Sequence, residues 1–425
     1  MDDHGGMSKR LNMNDNRGQP ANMKTFIVTG IQMRNKGSQA MFLSLLSGLK
    51  AEFGECEVIG FANKYDPLDR YKFKLLPYDD FTRLVFKYRL NRIPLLVPVL
   101  TALAGFSRKT DKWKGKVAEM EKALRNADAI LDASGYTLGS GWSKEGGGML
   151  LQTIRIARQY GKKVILMPQS FGPFDWGDDD DPEFLEQVKH ELSYCSKIYA
   201  REREGYACLT GLGLTNVELS ADMVIREKIF PEPTDICAPS DIEEVQYPEP
   251  GSVGFILNEN LFRIGDPGEV VGLYAKILDR LVDNGETVYI LNTSTADTDL
   301  VETVLAKVSN RDAVRVIRGQ YSSPQLIDLL SRFKYVVASR YHSIVFAYRT
   351  GVPAIILGWA SKYIDLAAHF QQQDYVFDIR DPGVERIFEQ IGKMGANHEA
   401  ESARIRERLV EMQGTSVIKD AIKSL

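Results

Sequence analysis

From Lys24 onward, short apolar runs alternate with amphipathic stretches of helical period, and the alternation stops once and then restarts. "TFIVTG" reads as a strand, and "KGSQAMFLSLLSGLKAEF" as a helix with Met41, Leu45, Leu46 and Leu49 on its apolar side. "CEVIGF" is the next strand. "KVAEMEKALRNA" then "AILDASG", and "LLQTIRIARQYG" then "KKVILMP", repeat the unit, as do the segments ending in "KIYAR" and "NVELSAD". Strands alternating with helices build a parallel sheet covered on both faces. Between Arg226 and Gly251 the pattern gives way to "EKIFPEPTDICAPSDIEEVQYPEPG", whose prolines and acids read as a linker. It resumes with "SVGFILN" and runs through "PAIILG".

The expected fold is therefore α/β, with two Rossmann-like βα domains facing a cleft. The expected divisions are a disordered tail at 1–23, an N-terminal domain at 24–226 and a linker at 227–250. A C-terminal domain at 251–397 and a helix at 398–425, packing back across both domains, complete the chain. A length of 425 residues agrees, since single cores stop growing at roughly 250–300 residues. Open α/β sheets bind ligands outside the carboxyl ends of their strands.

A net charge of −4 argues against nucleic acid as a partner, because phosphate neutralisation needs a basic footprint. The four cysteines share no metal-like spacing and read as reduced thiols, and no cluster of metal-ligand spacing predicts a bound metal. The first residues lack an apolar core of the signal-peptide kind, so a cytoplasmic location is expected. Residues 83–116 place an apolar stretch, Ile93 to Phe106, between basic flanks. That pattern suits an anionic membrane surface, and equally a buried helical hairpin with a solvated charged face.

The chemistry collects at strand ends. "YVVASRYHSIVFAYRTG" puts Arg340 and His342 between a strand and a helix that Gly351 closes. An Arg fork and a helix N-terminus there suit an anion, and His adds a proton carrier near neutral pH. The alternative is a surface Arg beside a capping His. "IYAREREG" gives Arg201 the matching place in the first domain, with Glu202 and Glu204 expected as solvated first-turn acids. Arg34, Asn35, Lys36, Gly37 and Ser38 follow the first strand. Ser134 and Gly135 open a glycine-rich loop, Gln169 and Ser170 end another strand, and Asp222 ends a fourth. "SSPQLIDLL" offers Ser323 as a helix cap with Pro324 at the first helical position.

"SRYHSIVFAYRTGVPAIILGWASKYIDL" resembles the C-terminal signature of the polysaccharide pyruvyl transferases: an Arg–x–His leading a helix, Gly-Val-Pro before the next strand, and a Lys beyond. The Asn–x–Gly loop, the Ser-Gly loop, "PQSFGPF", "AREREG" and "SAD" follow the family's order, from about Thr25 to Leu366. The sequence departs at Gly37-Ser38, where members often carry Gly-Asp. The resemblance implies a fold similar to the B-type glycosyltransferases. It implies transfer of pyruvate from phosphoenolpyruvate, a co-substrate and not a resident cofactor, to two sugar hydroxyls as a ketal. On that reading Arg201, Arg340 and His342 are catalytic and Lys362 adds a phosphate contact. The acceptor would be a sugar or lipid-linked oligosaccharide; the basic-apolar segment at 83–116 suggests the latter, met at the inner face of the membrane. A nucleotide-sugar glycosyltransferase and a two-domain binding protein without catalysis share the same kind of cleft.

Overall fold

The computed structural model describes residues 23–62, 66, 68–93, 96, 116–179 and 181–425. Residues 1–22 of the expected tail, and 94–95 and 97–115 of the basic-apolar segment, lie outside the described residues.

Strands β1 (Lys24–Ile31), β2 (Cys56–Ala62), β3 (Lys74–Pro77), β4 (Ala129–Asp132), β5 (Tyr136–Leu138), β6 (Lys163–Phe171), β7 (Lys197–Ala200) and β8 (Val217–Leu219) form the first sheet. Its order is β3-β2-β1-β4-β6-β7-β8, with β5 paired to β6. The second sheet holds β9 (Val253–Ile256), β10 (Val288–Leu291), β11 (Val314–Ile317), β12 (Tyr335–Ala338), β13 (Ala354–Gly358) and β14 (Val376–Asp378). Its order is β11-β10-β9-β12-β13-β14. The central pairs, β1 with β4 and β9 with β12, are parallel, and the order reverses at each of them. Both are switch points, where adjacent crossovers leave on opposite faces and open a crevice at the carboxyl ends.

The helices that bear on the site are α1 (Lys36–Phe53), α2 (Arg203–Gly211), α3 (Met223–Arg226), α4 (Ser323–Leu330), α5 (Tyr341–Arg349), α6 (Ser361–His369), α7 (Val384–Met412) and α8 (Val417–Lys423). One apolar cluster joins the two sheets: Phe42 and Leu45 of α1 pack with Leu326 and Leu329 of α4 and with Ile344, Val345 and Phe346 of α5. Ser323 N–H donates to Gln39 Oε1 across the same seam at 2.7 Å. Burying both partners of that bond makes it worth keeping, because either group alone would be an unsatisfied polar atom.

Two local expectations shift. The cap of α4 is Ser322, whose side chain and Gln325 form a reciprocal capping box, so Ser323 is already helical. The C-terminal helix starts at Val384 and not at 398, and it breaks at Gly414 before α8. Gly392 and Gly395 disguise its first half, since each costs about 1 kcal/mol relative to Ala in a helix. α8 returns to the first sheet, where Tyr199 OH donates to Asp420 Oδ2 at 2.8 Å.

Candidate active site

The carboxyl ends of both sheets face a cleft of about 1340 Å³. Asn35, Lys36, Gly37, Ser38, Ser134, Gly135, Ser170 and Arg201 line it from the first domain. Arg340, His342 and Lys362 line it from the second. The structure thus gathers most of the residues marked in the sequence into one space.

Arg340 occupies the N-cap of α5 with extended backbone, and its side chain turns away from the helix. Nε and Nη2 donate to the two oxygens of Asp297 at 2.8 and 2.5 Å. Asp297 is fully buried, and its Oδ1 also accepts Glu259 N–H at 2.9 Å. Two of the five guanidinium N–H donors are committed there, and no other hydrogen bond of this side chain is made among the described residues. Arg201 is locked from three sides. Nε donates to Ser170 Oγ at 3.0 Å, Nη1 donates to Asp222 Oδ2 at 3.0 Å, and the guanidinium lies 4.2 Å from the Tyr341 ring centroid.

The His342 ring packs closely against Gly37. A Cβ at residue 37 would stand 2.1 Å from His342 Nδ1, so only glycine admits the ring. Nε2 makes no hydrogen bond among the described residues, and Asp222 Oδ2 stands 3.6 Å away. Burial pulls the imidazole down to about 4, with Arg201 and Lys362 adding to the fall and Asp222 opposing it. The ring is therefore neutral at pH 7 and accepts protons before it gives them.

Lys362 sits in the first turn of α6, ringed by aromatic faces. Its Nζ lies 5.3 Å from the Tyr136 centroid, 5.6 Å from those of Tyr341 and Tyr363, and 5.7 Å from that of Trp359. Ring quadrupoles hold an ammonium weakly compared with water. Burial lowers Lys362 to about 7, with Arg201 repelling it and Glu202 attracting it. Lys36, across the cleft, falls to about 8 through burial and then Arg70.

Several marked residues are held in place by bonds within the first domain. Asn35 caps α1 by accepting from Gly37 and Ser38 N–H. Ser38 Oγ accepts Gln32 N–H at 2.8 Å. Arg34 is exposed, and its N–H donates to Asp66 Oδ1. Gln169 is fully buried and donates to Asp132 Oδ1, which also accepts Ser134 N–H and so fixes the glycine-rich loop. Asp222 is buried, caps α3, accepts from Arg201 and stands beside the His342 ring. Gln169 and Asp222 are placed to orient the residues that reach a ligand.

The expectation of a solvated Glu202 fails. Its side chain makes no cap bond to α2 and is only 4% exposed, accepting instead from Ser170 Oγ and Phe171 N–H. Asp297 escaped sequence reading altogether, although "TSTADTD" follows β10 at the same sheet edge. Arg263 was missed as well. Its Nη2 donates to Gly141 O at 2.7 Å and its guanidinium lies 4.4 Å from the Trp142 ring, spanning the cleft mouth.

A family model described as polysaccharide pyruvyl transferase matches residues 35–361. No curated protein matches. The structure is similar to that of UDP-GlcNAc 2-epimerase from Neisseria meningitidis, with a TM-score of 0.55 and 11% identity over 95% of this chain and 99% of that one. Trehalose 6-phosphate synthase from Burkholderia multivorans gives 0.52 and 9%, over 95% and 98%. At such identities the likeness speaks for the B-type two-domain fold alone.

Proposed function

Because the chain belongs to the polysaccharide pyruvyl transferase family, we propose that it transfers pyruvate from phosphoenolpyruvate to a pair of sugar hydroxyls, forming a ketal during surface polysaccharide or glycan synthesis. One observation carries the reading: Arg201, Arg340 and Lys362 converge from two domains on a cleft whose histidine is held neutral. A small ligand bearing a carboxylate and a phosphate is what such an array selects, since planar Arg forks and an ammonium each stabilise anionic oxygens.

In this reading Arg201 and Arg340 hold the two anionic groups of the donor, and Lys362 adds a phosphate contact. His342 takes the proton of the first sugar hydroxyl and passes it to C3 of the donor, whose C2–C3 π pair forms the new C–H bond. C2 becomes electrophilic as that proton arrives, and the hydroxyl oxygen bonds to it. The second hydroxyl attacks C2, the C2–O bond to phosphate breaks, and the second proton ends on phosphate. Atoms and charge balance without any further reagent. The loops at Asn35–Ser38 and Gly135–Gly148 supply the acceptor side, and the cleft has room for both substrates.

The test is incubation with phosphoenolpyruvate and a panel of free and lipid-linked glycosides, following phosphate release and acceptor mass together. A pyruvate-sized mass gain matched by phosphate is expected. Thermal shifts with phosphoenolpyruvate and with nucleotide sugars run alongside, since a ligand bound only by the native state raises its melting temperature. Stabilisation by nucleotide sugars alone, with no pyruvylated product, sinks the proposal.

A further inference from the structure

Glu202 is the buried titratable group that the steps above leave unused. It stands at the N-cap of α2, yet it caps nothing. Instead the carboxylate turns toward the end of β6 and lines the cleft, with Oε2 accepting from Ser170 Oγ at 3.2 Å and Oε1 from Phe171 N–H at 3.3 Å. Arg201 Nε lies 3.7 Å from Oε2, but that guanidinium is already met by Asp222 at 3.0 Å. Burying a carboxylate costs stability that Arg201, Ser170 and Phe171 N–H offset only in part, and helix capping does not explain its place. Gly205 keeps the space open: a Cβ there would stand 3.3 Å from Glu202 Oε1 and 3.1 Å from the backbone of Phe171.

Arg201 therefore separates two titratable groups, with the Asp222–His342 pair on one side and Glu202 on the other. The proposed ketal also needs two proton transfers with different destinations, one to C3 and one to the leaving phosphate. We propose that Glu202 is the second proton carrier and serves the ring-closing step. As a carboxylic acid it gives its proton to the phosphate oxygen as the C2–O bond breaks. As the resulting carboxylate it takes the proton of the attacking second hydroxyl, so the group ends as it began. This role rests on the pyruvyl transfer proposed above. Burial raises the Glu202 carboxyl to about 6, against the pull of Arg201, Ser170, Lys362 and Phe171 N–H. Both its forms are accordingly accessible near neutral pH, as a carrier requires.

Glu202→Gln separates the two steps, because the amide retains an acceptor oxygen for Ser170 or Phe171 but carries no transferable proton. The variant and the native protein are mixed with phosphoenolpyruvate and an acceptor on which the native protein releases phosphate, then quenched and weighed. Glu202→Gln is expected to form acceptor carrying the intact donor, phosphate included, while phosphate release falls by about 10²-fold or more. The limb of the native pH profile near 6 should vanish with it. Glu202→Asp, which keeps the acid one methylene further back, should restore part of the phosphate release, and it reads the same step if the Gln variant is unstable. Phosphate release by Glu202→Gln at the native rate overturns the role. So does a parallel loss of adduct formation and of donor-induced thermal stabilisation, which marks a binding residue. Native protein that releases no phosphate with any acceptor defeats the pyruvyl-transfer reading itself, a result distinct from both.

Discussion

His342 shows how one residue acquires its chemistry from a distant stretch of chain. Its ring is neutral because it is largely buried, packed against Gly37 some 300 positions earlier, and that burial adds one term to the acid response of the fold. The unfolded chain protonates histidine near 6.5, whereas the folded one resists until about 4. Stability from this group is thus fully present above 6.5 and is lost as pH falls toward 4. Glu202 works in the opposite sense, since its folded value of about 6 lies above the unfolded 4.5. Its cost is present above 6 and is relieved as pH falls to 4.5, so the two groups partly cancel. His342→Gln should remove only the first term. Relative to native protein, the variant is expected to gain roughly 2–3 kcal/mol of unfolding free energy between pH 7 and pH 4.5. Urea titrations at the two pH values measure this, and parallel losses in the two proteins would refute it. The sequence revealed that Arg340 and His342 stand at a strand–helix junction, because apolar runs flank them on both sides. It could not reveal the protonation state, which depends on which backbone lies against the ring.

At the scale of elements, the second-domain wall of the cleft is built by three loops that the sheet order brings together. β9 separates β10 from β12, yet Asp297 after β10 reaches Arg340 after β12 and accepts Glu259 N–H from the loop after β9. Arg340 is aimed by this carboxylate and not by its own helix. Asp297→Asn keeps the size but gives up the charge and one acceptor of the fork. Breaking a buried pair in this way costs about 3–5 kcal/mol when one charge is left uncompensated. The expected outcome is a melting temperature lower by several degrees and a KM for phosphoenolpyruvate raised about tenfold, with a smaller change in kcat. An unchanged KM in a folded variant would show that Arg340 holds its aim without Asp297. The local pattern "TSTADTD" did not betray this role because Asp among Ser and Thr reads as a helix cap. Strand period and loop position were legible. Pairing between loops of non-adjacent strands was not, since nothing local encodes it.

The whole molecule is held together through α5, which presents His342 to the cleft at one end and Arg349 to the other domain at the opposite end. Arg349 donates to the carbonyls of Val224, Glu227 and Lys228, the last at 2.9 Å, and so gathers the C-terminal end of α3. The N-cap of α3 is Asp222, which holds Arg201 and stands beside His342. One pair of helices therefore fixes the register between the arginine of the first domain and the histidine of the second. Two domains were readable from the repeated βα pattern. Their shared core was not, because the seam faces of α1, α4 and α5 are apolar in the same way as any helix face laid on a sheet. Arg349→Lys tests the arrangement, since a single ammonium cannot reproduce a planar fork spread over three carbonyls. Hydrogen bonds to charged groups are worth about 1.5–3 kcal/mol each, so losing part of the fork should loosen α3 measurably. Hydrogen exchange of the amides at 223–228 is expected to quicken by about tenfold or more, while that of β9 and β10, remote from the seam, stays unchanged. Pyruvyl transfer should slow at the same time, as Asp222 loses its fixed place between Arg201 and His342. Quickened exchange with native turnover would separate domain register from catalysis, and unaltered exchange at 223–228 would remove Arg349 as the clamp.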